Sequence, residues 1–155
     1  MPIDKGDRAP DFTLPNSENQ PVSLGSYKGQ PVVVLFFPLA FTGVCTNEMC
    51  TMRDHMAQYQ GLNAQVLAIS VDSPFTLAKF KAEQSLNFPL LSDFNKTAAQ
   101  DYGVLYEDFF GLKGVAKRAA FVVGADGEVA YAEILEDAGH EPDYHQIQQT
   151  LRELA

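Results

Sequence analysis

The chain has 155 residues and a formal net charge of −9 at pH 7, and this length suits one domain with a buried core. Hydrophobic residues make up 46% of the sequence and charged residues 20%, a composition that excludes fibrous and disordered proteins. The acidic balance disfavours a nucleic-acid partner, and no apolar run approaches the roughly 20 residues that a membrane-spanning helix needs.

The N-terminal residues bear on two questions, the presence of a signal peptide and the structure that precedes the first long strand. It has no apolar run behind a basic start, so we expect no signal peptide and a cytoplasmic protein. Residues 9–24 predict an N-terminal β extension of short strands, interrupted by Pro15 and Pro21. Residues 31–37 then form a continuous β-branched and aromatic run, typical of a central strand that is covered on both faces.

The rest of the chain alternates between helical and strand patterns. Helices are predicted at residues 43–59, 73–84, 96–102 and 144–154. Further strands are predicted at residues 64–71, 119–123 and 128–135. This order implies an α/β fold in which a central mixed sheet lies between helices. No repeat or flexible linker interrupts it, so we expect a single domain over residues 1–155.

The loop between the first long strand and the first helix places a cysteine in a reactive position. Thr42 occupies the position of a helix N-cap, and Cys45 therefore falls in the first turn. Free backbone N–H groups and the positive end of the helix dipole favour a thiolate there. Most free cysteines are simply small buried hydrophobes, but this setting favours a functional role for Cys45.

The second cysteine, Cys50, lies on a different side of the same predicted helix. At about 100° per residue, Cys45 shares a stripe with four large side chains that we interpret as core, and these are Met49, Met52, Met56 and Tyr59. Cys50 lies about 140° around the axis from Cys45, toward the polar flank. A structural cysteine fits the stripe better, so this position favours a reactive Cys50 without excluding a structural one.

Two other kinds of cysteine chemistry fit poorly. The two cysteines are five residues apart rather than in a C-x-x-C pair, and His55, His140 and His145 form no ligand-spaced set with them. We therefore expect neither a metal site nor a C-x-x-C oxidoreductase, and no cofactor. Two cysteines are also too few to form the disulfide framework of a small secreted domain.

The motif Pro38-x-x-x-Thr42-x-x-Cys45 resembles the active-site motif of peroxiredoxins, and Arg118 matches the arginine that this family carries at the start of a later strand. The resemblance covers nearly the whole chain and implies a thioredoxin-like fold. Residues 36–43 are similar to the AhpE group. Cys50, in contrast, matches the resolving cysteine of the bacterioferritin-comigratory-protein (PrxQ) group, so the sequence combines features of both groups.

The resemblance also implies a mechanism. Cys45 would be the peroxidatic cysteine that attacks a hydroperoxide and becomes a sulfenic acid. Thr42 and Arg118 would bind the peroxide and the thiolate, while Pro38 would shield the sulfur from water. Cys50 would resolve the sulfenic acid as an intramolecular disulfide, which a thioredoxin-like donor would reduce.

Three questions stay open at this point. A low-molecular-weight thiol, rather than Cys50, could resolve the sulfenic acid in a one-cysteine mechanism. The protein could instead be a non-enzymatic peroxide sensor or holdase, whose oxidised form binds a partner. The sequence is compatible with a monomer and with a homodimer.

Overall fold

The computed structural model describes residues 2–155, which form seven strands and five α-helices. The strands are β1 (Thr13–Pro15), β2 (Pro21–Ser23), β3 (Val32–Phe36), β4 (Gln65–Ser70), β5 (Leu90–Ser92), β6 (Arg118–Val123) and β7 (Val129–Leu135). The helices are α1 (Gly43–Asp54), α2 (Met56–Gly61), α3 (Pro74–Gln84), α4 (Thr97–Tyr102) and α5 (Tyr144–Leu154). Within this described part of the chain, no helix is long and apolar enough to cross a membrane.

The centre of the fold is a five-stranded mixed sheet with the order β5-β4-β3-β6-β7. Strands β3, β4 and β5 run parallel, whereas β6 and β7 continue the sheet antiparallel from β3. The first two strands form a separate antiparallel hairpin, in which Pro15 pairs with Pro21. The predicted mixed sheet between helices and the N-terminal β extension are thus confirmed.

Strand β3 explains why its sequence is apolar without alternation. Val33 and Leu35 belong to the core layer that includes the buried face of α1. Val34 and Phe36 belong to a second layer, which packs against Tyr102 on α4. Every residue of β3 is therefore buried, as expected for a central strand with both faces covered.

Two elements differ from the prediction. The prediction of one continuous helix over residues 43–59 is wrong, because two helices cover this segment. Helix α1 ends at Asp54 and α2 begins at Met56, with His55 between them at ψ 11°. The His55 ring contacts the Thr51 carbonyl at 2.8 Å, and the His55 backbone N–H is shared between two carbonyls, so the helical ladder is disturbed here. Strand β5 was not predicted at all, because three residues are too short to show periodicity.

The topology of the sheet brings Arg118 close to the helix that carries Cys45. Because β6 runs antiparallel to β3, its first residues lie beside the last residues of β3, and Ala119 pairs with Phe36. The chain leaves β3 at this same end and enters α1. Arg118, the first residue of β6, is therefore next to the first turn of α1.

Candidate active site

The loop that joins β3 to α1 is held by a carboxylate and by an aromatic contact. Asp72 accepts hydrogen bonds from the Ala40 backbone N–H at 2.8 Å and from the Ser70 hydroxyl at 2.6 Å. Phe41 has the left-handed backbone conformation, with φ 69°, and its ring lies 5.2 Å from that of Phe80. A bulky residue adopts this conformation rarely, so the surrounding contacts must hold the loop in place.

Thr42 occupies the N-cap position of α1 with extended backbone angles, φ −92° and ψ 156°. Its side chain does not cap the helix, because the hydroxyl donates its proton to the Leu39 carbonyl at 2.7 Å. The hydroxyl oxygen is therefore left as an acceptor. The backbone N–H groups of the first turn have no partner within the helix, and they receive no side-chain cap.

Cys45 lies in this first turn and is 1% exposed, although it lines a cavity that opens to solvent. Arg118 reaches it from β6, with Nη2 at 3.4 Å from the Cys45 Sγ. The same Nη2 donates to the Ala138 carbonyl at 2.9 Å. A fixed cation and the start of a helix thus both face the sulfur.

Glu48 is a member of the site that the sequence analysis missed. It is fully buried and forms an ion pair with Arg118, with Oε1 at 2.6 Å from Nη1. Burial raises the pKa of Glu48 to about 7, and this effect outweighs the opposing attraction of Arg118. An acidic residue three positions after Cys45, on the buried side of the predicted helix, was the available signal.

The cavity over Cys45 has a volume of about 810 Å³. Pro38 and Thr42 line it beside the sulfur. Its other wall is aromatic, because the Tyr106 and Phe109 rings stack at 4.9 Å and Phe109 contacts Phe110 edge-to-face at 4.8 Å. The site therefore combines a polar floor with an apolar wall.

Cys50 lies outside this cavity, on the flank of α1 that faces α3. It is half-buried and a free thiol, and its Sγ donates to Oε1 of Gln84 at 3.4 Å. Of the five residues predicted for the site, the structure brings Pro38, Thr42, Cys45 and Arg118 together and leaves Cys50 apart. In residues 2–155, no cluster of His, Cys, Asp and Glu side chains could hold a metal ion.

The amino-acid sequence is similar to a known protein family and to several of its named members. Residues 5–132 match the AhpC/TSA family. Alkyl hydroperoxide reductase E of Mycobacterium tuberculosis is 40% identical over 135 residues, which cover 85% of this chain and 86% of that protein. Peroxiredoxin Bcp of Escherichia coli is 38% identical over 133 residues, covering 84% and 85% of the two chains.

Solved structures of similar proteins extend the likeness to the whole fold. Peroxidoxin BcpB from M. tuberculosis superposes with a TM-score of 0.88 at 31% identity, and the match covers 99% of each chain. A peroxiredoxin-like protein from Aquifex aeolicus gives a TM-score of 0.91 at 28% identity, covering 100% of this chain and 90% of the other. These likenesses confirm the predicted thioredoxin-like fold.

Proposed function

The chain belongs to the AhpC/TSA family and is a thiol peroxidase, and we propose that Cys45 is the residue that attacks the hydroperoxide. One observation carries this proposal. Cys45 lies in the first turn of α1, at the floor of the cavity, and Arg118 Nη2 is 3.4 Å from its sulfur. Cys50 lies outside the cavity, and its sulfur hydrogen-bonds to the amide oxygen of Gln84.

The reaction transfers one oxygen atom to sulfur. The Cys45 thiolate attacks the nearer peroxide oxygen, so that an S–O bond forms while the O–O bond breaks. The departing oxygen takes up a proton and leaves as water or an alcohol. The sulfur loses two electrons and becomes a sulfenic acid, while the peroxide is reduced by the same two electrons.

Ionisation of the thiol accounts for only part of the acceleration. A free thiol is already about 3% ionised at pH 7, so complete ionisation gains at most about thirtyfold. The larger share must come from groups that hold the peroxide and stabilise the charge that moves onto the leaving oxygen. Arg118 has fixed N–H donors, which stay charged at every physiological pH.

Thr42 complements Arg118 as an acceptor. Its only hydroxyl proton is engaged by the Leu39 carbonyl, so its oxygen is free to accept the O–H of the hydroperoxide. The backbone N–H groups at the start of α1 supply further donors. Pro38 is buried and lines the cavity beside the sulfur, where its ring limits the access of water to Cys45.

Glu48 acts through Arg118 and is therefore a positioning residue. Its carboxylate holds Nη1, while the Ala138 carbonyl helps to hold Nη2. With both ends of the guanidinium held, the donors are placed before the peroxide arrives. Such preorganisation avoids reorientation of the donors during the reaction.

We propose alkyl hydroperoxides as substrates alongside hydrogen peroxide. The aromatic wall of Tyr106, Phe109 and Phe110 can pack against an organic group while the peroxide lies on the polar floor. An M. tuberculosis relative that is 40% identical is named alkyl hydroperoxide reductase E. Apolar contact with a largely preformed pocket is the usual way to bind such a group.

The family uses a thiol as reductant, and we propose that Cys50 supplies the first thiol. Five residues of intact helix separate two Cα atoms by a rise of about 7.5 Å, whereas a disulfide usually needs Cα atoms within about 7 Å. The first turns of α1, from Gly43 to about Thr51, must therefore unwind before Cys45 and Cys50 bond. A thioredoxin-like protein would then reduce the disulfide, in the reducing environment of the cytoplasm.

Stopped-flow oxidation of wild type, Cys45→Ser and Cys50→Ser, followed by mass spectrometry, tests these assignments. Cys45→Ser should lose peroxide reduction by at least about a thousandfold, as loss of a nucleophile does elsewhere. Cys50→Ser should keep the first oxidation but accumulate the sulfenic acid, and wild type should form the Cys45–Cys50 disulfide. A near-normal rate for Cys45→Ser contradicts the nucleophile assignment.

The same experiment separates the remaining alternatives. If wild-type Cys50 stays a free thiol after oxidation of Cys45, a low-molecular-weight thiol is the resolving partner. Repeated turnover with a thioredoxin system supports an enzyme with a protein reductant. Oxidation without recycling by any thiol would instead favour a peroxide sensor.

A further inference from the structure

A small polar cluster joins the second half of α1 to the end of α3. Gln84 is the last residue of α3, and its Oε1 accepts the thiol proton of Cys50 at 3.4 Å. Its backbone carbonyl accepts a hydrogen bond from Nη1 of Arg53 at 2.7 Å. Gln84 thus contacts α1 twice, once through its side chain and once through its main chain.

A third hydrogen bond runs between the same two segments. Nδ2 of Asn87, three residues beyond Gln84, donates to the Arg53 backbone carbonyl at 3.3 Å. Arg53 lies in the last turn of α1, where carbonyls lack partners within the helix. The cluster of Cys50, Arg53, Gln84 and Asn87 therefore fastens the end of α1 to α3.

The cluster holds Cys50 in the folded helix, whereas the proposed resolving role requires Cys50 to leave it. Under the proposed function, Cys50 attacks the sulfenic acid only after the first turns of α1 unwind. The Cys50–Gln84 contact exists in the folded helix and is lost when Cys50 moves, whereas the two bonds of Arg53 lie beyond the segment that unwinds. A contact made only in one state shifts the population toward that state.

We propose that Gln84 restrains Cys50 in the folded helix and so sets how fast the sulfenic acid is resolved. This inference rests on the proposed resolving role of Cys50. In the step that Gln84 delays, the Cys50 sulfur loses its proton and attacks the Cys45 sulfur. An S–S bond forms, the S–O bond breaks, and the hydroxide leaves with that proton as water.

Restraint of Cys50 has a chemical consequence. While the sulfenic acid waits in the folded site, a second peroxide can oxidise it to a sulfinic acid, which thiols do not reduce. The Cys50–Gln84 contact therefore shifts the competition between disulfide and over-oxidation. A single hydrogen bond of modest strength corresponds to a change of about twofold to tenfold in such a ratio.

Two substitutions at Gln84 should act in opposite directions. Gln84→Met keeps the length of the side chain but removes the acceptor, so disulfide formation should become about twofold to tenfold faster. Gln84→Glu provides a stronger, charged acceptor that also attracts Arg53 and opposes ionisation of Cys50. Disulfide formation should therefore be slower in the Glu variant, and its sulfinic fraction should be larger.

The measurement is rapid-quench mass spectrometry after one equivalent of hydrogen peroxide, followed by a titration to excess peroxide. Gln58→Met, an exposed glutamine of α2, serves as the matched control and should leave both readouts at wild-type values. Oxidation of Cys45 itself should proceed at the wild-type rate in Gln84→Met, because Gln84 does not line the cavity. A general loss of stability would not move the Met and Glu variants in opposite directions.

The outcomes distinguish this inference from the function on which it rests. If wild type forms no Cys45–Cys50 disulfide, both the resolving role and the restraint are wrong. If wild type forms the disulfide but Gln84→Met forms it no faster, the restraint alone is overturned. Faster disulfide formation in Gln84→Met together with slower formation in Gln84→Glu supports it.

Discussion

The two halves of α1 hold one cysteine each. The two sulfurs differ in their hydrogen-bond partners and in how firmly other contacts hold those partners in place. In the first half, Cys45 is buried against Arg118, which is itself fixed by Glu48 and by the Ala138 carbonyl. In the second half, Cys50 is half-buried, and its side chain hydrogen-bonds to the neutral amide of Gln84. The same side chain, five residues apart on one helix, thus hydrogen-bonds to a fixed guanidinium in one place and to an amide in the other.

This difference suits the two successive steps of the proposed function, attack on the peroxide by Cys45 and resolution by Cys50. A buried guanidinium that is fixed on both sides places its donors beside the Cys45 sulfur before substrate arrives. A weak, neutral contact leaves a thiol that can depart from its position when the helix unwinds. In the proposed function, attack on the peroxide needs a fixed geometry and therefore depends on Arg118 of β6. Disulfide formation needs Cys50 to move and therefore depends on the weak Cys50–Gln84 hydrogen bond.

Among the residues around Cys45, the largest effect is expected from Arg118→Lys, which removes the fork of donors while keeping the positive charge. We expect oxidation of Cys45 to slow by about a hundredfold, comparable to the loss of one donor from an oxyanion hole. Stopped-flow measurement with hydrogen peroxide checks this. Arg152→Lys on the exposed side of α5 is the control, and a near-normal rate for Arg118→Lys contradicts the assigned role.

A smaller effect is expected from Thr42→Val, which preserves shape and removes the hydroxyl. The variant loses both the bond to the Leu39 carbonyl and the proposed acceptor for the peroxide O–H. We expect about a tenfold slower oxidation of Cys45, the equivalent of one hydrogen bond to the reacting group. Thr42→Ser retains the hydroxyl and should stay within about threefold of wild type, whereas equal loss in both variants would assign the effect to packing.

A third prediction concerns the pH dependence of stability rather than the rate. Because burial raises the pKa of Glu48 from 4.5 to about 7, its carboxyl keeps a proton in the folded protein that it loses in the unfolded chain between these values. Its contribution to stability is therefore complete below pH 4.5 and is lost as the pH rises through about 7.

The variant Glu48→Gln has no such group and tests this directly. Relative to wild type, its free energy of unfolding should rise by a few kcal/mol at most between pH 4.5 and 7. Urea unfolding of both proteins across this range gives the comparison. If the two curves run parallel, folding does not raise the pKa of Glu48 and its burial does not dominate.

Several features of the fold and site could be predicted from local sequence. The apolar run of β3 indicated a strand covered on both faces, and Pro74 and Gly103 marked where α3 begins and α4 ends. The position of Cys45 in the first turn of a helix followed from the end of the strand and from Thr42. Arg118 was identified by resemblance alone, since nothing in its neighbourhood along the chain points to Cys45.

What the sequence by itself determined is therefore most of the element order, the buried faces and the position of Cys45 in the first turn of a helix, because each depends on a pattern within one or two turns. The pairing of Arg118 with Cys45, 73 residues earlier, depends on the antiparallel register of β6 beside β3. The burial of Glu48 and its raised pKa depend on the packing of α1 against the sheet. Contacts and electrostatic environments of this kind arise only when distant segments meet, so the tertiary structure alone decided them.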